Sequence, residues 1–79
     1  MHSGPTIYAD FQNSDQEGFV RLNTAGTVAD LARLGVTLVD GLSVVISDGE
    51  LFSGATVRDP GVEGVWRAQI DWEAITSLS

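Results

Sequence analysis

The chain contains no cysteine and no lysine, a single histidine and only two prolines. Without cysteine there is no disulfide, no zinc–thiolate centre and no redox thiol. The only basic side chains that stay charged are four arginines, set against eleven acids for a net charge of −7. Such a balance lacks the basic stripe that displaces counterions from phosphates, so nucleic acid is excluded as a partner. No apolar run approaches the roughly 18–20 residues needed to cross a bilayer. Nothing near Met1 has the basic-then-apolar plan of a secretion signal, and the expected setting is the cytoplasm. What remains is a chain of 79 residues with 43% hydrophobic content. That is enough for one small domain with a thin core.

Met1 to Pro5 has no periodicity and reads as a flexible tail, with residues 6–79 as a single β domain. From Thr6 the pattern has period two, with Ile7, Ala9 and Phe11 on one face and Tyr8, Asp10 and Gln12 on the other. Asn13 to Gly18 is a polar loop. Phe19 to Asn23 forms a second strand, expected to pair with the first as an antiparallel hairpin. Thr27-Val-Ala-Asp30 resembles a capping box and opens a short helix to Gly35, with Val28, Leu31 and Leu34 facing the core. Leu42 to Ser47 is a strand, and Asp48-Gly49 fits a two-residue type I′ turn. That register sets Ile46 opposite Leu51, Val45 opposite Phe52, Leu42 opposite Ala55 and Ser43 opposite Gly54. The return strand runs to Arg58 and is broken by Asp59-Pro60-Gly61. Val65 to Asp71 is the last strand, and Asp71 caps a turn from Trp72 that brings Ile75 and Leu78 to the core. The expected fold is mainly β: a bent antiparallel sheet or SH3-like barrel of about five strands with one short helix. An open α+β antiparallel sheet is the alternative. Phe11, Leu22, Leu31, Ile46, Leu51, Trp66 and Ile70 are the expected core.

Catalytic chemistry has few residues to draw on. The histidine, His2, lies in the tail, so any general acid–base site would have to use carboxylates alone, with Asp10, Asp71 and Glu73 as candidates. No catalytic residue is assigned. Asn13-x-Asp15-x-Glu17-Gly18 imitates the start of a calcium loop, but Thr24 stands where the closing carboxylate belongs, so no metal and no cofactor is expected. Gly49, Gly54, Gly61 and Gly64 fall in turns or a strand, and the lysine of a phosphate-binding loop is missing. Trp66 shares the parity of Ala68 and Ile70, which favours the core over a stacking platform with Trp72. Two features point toward binding. Val45 and Phe52 put an apolar pair on the face opposite the core, a candidate interface. Tyr8, Asp10, Arg21 and Asn23 can line a polar ladder, and Tyr8, Arg21 and Arg67 are candidate ligand contacts at a barrel mouth.

Tyr8-Ala-Asp-Phe11, Gly18-Phe-Val-Arg-Leu-Asn23, Gly26-Thr27, Asp30-Leu31 and Ile70-Asp-Trp72 together resemble a group of short uncharacterised bacterial proteins, over most of the chain. The resemblance carries no activity to transfer. Leu38-Val-Asp-Gly41-Leu42 before a hairpin also resembles SH3-like translation-factor modules and PilZ domains, without the arginine pair and Asp-x-Ser-x-x-Gly motif by which PilZ domains hold cyclic dinucleotides. The expected function is a non-catalytic binding module that pairs with itself or with another protein. A small-molecule carrier, its ligand cationic to suit the charge, is the alternative, and a carboxylate-only enzyme stands last.

Overall fold

The computed structural model describes residues 4–77. Six strands, one α-helix and one 3₁₀ turn follow in order: β1 Thr6–Tyr8, β2 Val20–Arg21, α1 Ala25–Leu34, β3 Ser43–Ser47, β4 Leu51–Arg58, β5 Arg67–Gln69, the turn Trp72–Ala74 and β6 Thr76–Ser77. Five strands lie in the order β1-β3-β4-β5-β2, and β6 pairs with β4. The fold is mainly sheet with one short helix. Among the described residues, no helix is long and apolar enough to cross a membrane.

The expected β1–β2 hairpin does not form. β1 pairs with β3 in parallel, while β2 pairs with β5 antiparallel, so the two strands stand at opposite ends of the order. No pairing joins those ends, and the sheet is mixed and open rather than a closed barrel. Asp10 is the reason. Its carboxylate accepts the Gln12 N–H and its carbonyl accepts the Asn13 N–H, which turns the chain two residues after Tyr8. A remnant of the hairpin survives as a single Ser14–Val20 bridge. The Pro5 carbonyl accepts the Val45 N–H at 2.9 Å, which ties that residue to β3.

The helix begins two residues early. Thr24, not Thr27, is the N-cap and accepts the Thr27 N–H at 3.2 Å, and Gly35 closes the helix at φ 67° as expected. Thr27 is instead fully buried and donates its hydroxyl to the Tyr8 carbonyl. Asp30 accepts the Tyr8 N–H at 2.8 Å. Val28 and Leu34 stay exposed, and only Leu31 reaches the core, because the helix lies along the edge of β1 rather than over the sheet.

The β3–β4 turn sits one residue later than expected. Gly49 takes φ 100° and among the described residues only glycines have positive φ, so Gly49 and Glu50 form the turn. A type I′ turn over Asp48-Gly49 needs Asp48 itself at positive φ. Asp48 stays in ordinary backbone and accepts the Glu50 and Leu51 N–H groups. The register moves by two residues, so Val45 faces Gly54, Ile46 faces Ser53, Val44 faces Ala55 and Ser47 faces Phe52. Leu42, set opposite Ala55 by the sequence, lies beyond the ladder and accepts the Val57 N–H. Gly54 therefore lies opposite Val45, not Ser43.

The core holds Ile7, Phe11, Val20, Leu22, Val44, Ile46 and Val57, all buried. Leu31, Leu51, Trp66 and Ile70 pack against it half-buried, as does Ile75. Asp71 caps the 3₁₀ turn by accepting the Glu73 N–H, as its position foretells, and Leu78 lies outside the described residues.

Candidate functional site

The outer side of the sheet divides into two zones. At one end, Arg58, Arg67 and Arg21 stand directly opposite one another across β4, β5 and β2. Like charges so placed destabilise a sheet unless neutralised. Arg67 is neutralised most completely: Nη1 donates to Asp15 at 3.3 Å and Glu17 at 2.9 Å, while Nε and Nη2 donate to the Asp59 carbonyl at 3.3 and 3.1 Å. Its guanidinium carbon lies 4.8 Å from the centre of the Phe19 ring. Arg21 forms a two-pronged pair with Glu63, both bonds 2.8 Å, and also donates to Asn13 and the Ser14 carbonyl. Arg58 donates to Gln69 at 2.8 Å and stands 3.9 Å from Asp40.

This cluster settles where the sequence candidates fall. Asp15 and Glu17, the calcium-like pair, are brought together but both face Arg67. Burial pushes the Asp15 carboxyl up, but the Phe19 and Glu17 N–H groups and Arg67 outweigh it and hold it below the usual carboxylate range. The Arg21 pair lowers Glu63 likewise. Among the described residues no cluster of acids and histidine could hold a metal ion. Arg21 and Arg67 are neighbours as the ligand reading requires, but Tyr8 is at the far end of the strand order. Each guanidinium has five donors, and Arg67 already makes four contacts. A cleft of about 160 Å³ beside Arg67 has Asp15, Glu17 and Glu63 in its wall, and these acids are already paired, the first two with Arg67 and the third with Arg21. The polar ladder is likewise dispersed: Asp10 caps its turn, Arg21 holds Glu63, and Asn23 accepts from Asn13. Of the three acids considered for catalysis, Asp10 and Asp71 each cap a turn two residues ahead, and Glu73 is exposed.

The second zone covers β1, β3 and the first half of β4. Alternation places Ile7, Val44, Ile46, Ser53 and Ala55 toward the core. The opposite face presents Thr6, Tyr8, Ser43, Val45, Ser47, Phe52, Gly54 and Thr56, which meet in the rows Thr6–Val45–Gly54, Tyr8–Ser47–Phe52 and Ser43–Thr56. Apart from the Tyr8 phenol, none of these side chains ionises. Val45 and Phe52 are half-buried within the zone and are diagonal neighbours, not directly opposed. Trp72 does not cover them; it stacks edge-on against Phe11 and donates to the Gly18 carbonyl at 2.8 Å.

Beside this zone the edge of β4 opens. β5 pairs with Thr56–Arg58 and β6 with Leu51–Phe52, while the three residues Trp72–Ala74 loop out between them. The Val57 N–H and carbonyl point to Leu42 and Gly41, so by alternation the Gly54 peptide groups point into the gap. An open cleft of about 420 Å³ lies there, with Asp71, Thr56 and Gln69 in its wall.

Sequence reasoning missed the arginine row, since cross-strand neighbours depend on pairing, and it missed the charge-free face for the same reason. The signal for the latter was present in Leu42–Thr56, where the only acids, Asp48 and Glu50, sit at the turn. Compared with protein-family models, curated proteins and solved structures, the chain matches none.

Proposed function

We propose that the protein is a non-catalytic interaction module that works through the uncharged outer face of β1, β3 and β4. One observation carries this reading: a chain with net charge −7 keeps its acids off one face of its central strands. Interface centres are depleted of charge in the same way, since a charge buried without a partner is costly. The use of Asp10 and Asp71 as turn caps and of Asp15, Glu17 and Glu63 as arginine partners fits a protein without catalytic acids. A cytoplasmic setting and kinship with the bacterial group that the sequence resembles belong to the same proposal. Hydroxyl-radical footprinting in concentrated native lysate, against dilute purified protein, tests it. Phe52 and Tyr8 are expected to lose reactivity in the lysate while Trp72 keeps it. Equal reactivity of Phe52 and Tyr8 in both settings contradicts the module.

A second reading, a carrier of a small cationic ligand, is favoured by the cleft beside Gly54, with Asp71 in its wall. Titration with a small primary amine, followed by amide NMR, is expected to move Gly54, Thr56 and Gln69 if that reading is right. Unmoved resonances at those residues remove it.

A further inference from the structure

Two acidic copies of this chain repel each other at most approaches, and the outer face of β1, β3 and β4 is one that lacks the repulsion. We infer that the occupant of this face is a second copy of the chain, stacked sheet on sheet about a two-fold axis. The inference rests on the interaction-module reading and names its partner.

Three observations point to a copy rather than to a basic protein. A basic partner is recognised by carboxylates, and the face offers none; the acids around it lie at its margins, Asp48 and Glu50 at the turn, Asp71 in the cleft beside Gly54 and Asp30 at the outer edge of β1. The face instead holds Thr6, Ser43, Ser47 and Thr56, whose hydroxyls both donate and accept. Such a surface is complementary to itself, as an isologous contact requires. Around them, Val45 and Phe52 supply apolar area next to Gly54, where a facing strand meets no side chain.

The edges of the sheet favour face over edge as the route of association. The outer edge of β1 is occupied by α1, where Thr27 donates to the Tyr8 carbonyl and Asp30 accepts the Tyr8 N–H. The outer edge of β2 is occupied by the chain's own Asn13–Asp15, through Arg21 N–H to Asn13 and Asp15 N–H to Phe19. Strand addition at either end is therefore blocked by the chain itself.

Size sets the strength. Three strands about 4.8 Å apart and about 3.3 Å per residue make a plate roughly 15 Å on a side. That is well below the ~800 Å² per partner of stable complexes, so the dimer is weak and depends on concentration. Sedimentation equilibrium of the purified full chain tests it. The mean mass is expected to rise from the 8.4 kDa of one copy toward twice that between about 10 µM and 1 mM. Raising salt from about 20 mM to 0.5 M is expected to strengthen association severalfold, since it screens the acidic repulsion. Thr6→Glu and Ser43→Glu, both at exposed positions of the face, are each expected to raise the midpoint concentration at least tenfold. Val62→Glu adds the same charge to a fully exposed loop residue away from the face and is expected to change it less than threefold. A mass of one copy at 1 mM in high salt overturns the inference, and so does a midpoint that all three variants move equally. If the purified chain stays single while lysate protects Phe52, the second copy is the wrong occupant and the module stands. If lysate leaves Phe52 exposed, the module fails.

Discussion

Arg67 illustrates how one residue can hold several loops. Its guanidinium ties the Asp15–Glu17 loop and the Asp59 carbonyl to β5, and Gly61 packs against it with room for a Cβ only at 3.4 Å. The carboxylates that answer the arginines give the fold an acid limit. Asp15 and Glu63 lie below the usual range in the folded chain, as do Asp30 and Asp48 through backbone N–H bonds to their carboxylates. A lowered folded-state pKa contributes stability that is present above the unfolded value near 4 and is lost as pH falls through the lower folded value. The urea midpoint is therefore expected to hold between about pH 5 and 7 and to fall below about pH 4, with a shallower fall in Asp15→Asn. An acid limb of unchanged steepness in that variant contradicts the role given to Asp15. Gly26 makes the opposite point about local propensity. Replacing a helical glycine by alanine ordinarily stabilises by up to about 1 kcal/mol. Here the new Cβ meets the Tyr8 ring at 2.7 Å. Gly26→Ala is expected to lower stability by about 1–3 kcal/mol through overpacking, and Tyr8→Ala is expected to relieve it. Calorimetric melts of the single and double variants check both. No pattern in the sequence reveals that contact, because it joins a helix to a strand that precedes it by a loop, a second strand and a second turn.

At the scale of elements, what was legible was local and what was hidden was pairing. Period two in Leu42–Ser47, the glycine stop at Gly35 and the cap at Asp71 each depend on neighbours in sequence, and each is found where expected. Parity also carried much of the core, since a two-residue slip leaves every side chain on its own face. For that same reason parity could not detect the slip in the β3–β4 register. The arrangement at Gly49-Glu50 has direct consequences. Gly49→Ala, forced to φ 100°, is expected to cost about 1–2 kcal/mol, whereas exposed Glu50→Ala is expected to stay within about 0.5 kcal/mol. Cross-strand Hα contacts are expected between Ser47 and Phe52 and between Val45 and Gly54, the pairs without mutual hydrogen bonds. An Hα contact between Ile46 and Leu51, the pair without mutual hydrogen bonds in the tighter turn, contradicts the register. The partner of β1 was hidden for a different reason: its strand, β3, follows only after α1, and apolar alternation marks a face without naming the neighbour. Thr27 and Asp30 looked like a helix start and serve instead to close the edge of β1. Thr27→Val leaves the Tyr8 carbonyl without its donor and is expected to cost about 1–3 kcal/mol, with faster amide exchange across β1.

For the molecule as a whole, charge is sorted by location rather than spread evenly. Three of the four arginines stand in one cross-strand row with carboxylates around them, and the remaining one, Arg33, pairs with Asp30 on the helix. The sorting leaves the other half of the outer face free of ions while the β1 and β2 ends of the sheet are closed by the chain itself. The arginine row and the closed ends of the sheet depend on strand pairing and could not be read in sequence, whereas the uncharged face left its signal in Leu42–Thr56, where the only acids sit at the turn. A small core has little surplus stability, and covering the half-buried Val45 and Phe52 adds apolar burial that the single chain lacks. The proposed contact is tested most directly by an isotope-filtered NOE spectrum of labelled and unlabelled protein mixed at about 1 mM, the upper end of the concentration range in which a small interface fills. Contacts between copies are expected from the Val45 methyls and Phe52 ring to Thr6, Ser47 and Thr56. Contacts confined to Val28, Leu34 or Val62, or none at all in 0.5 M salt, contradict a contact through the uncharged face.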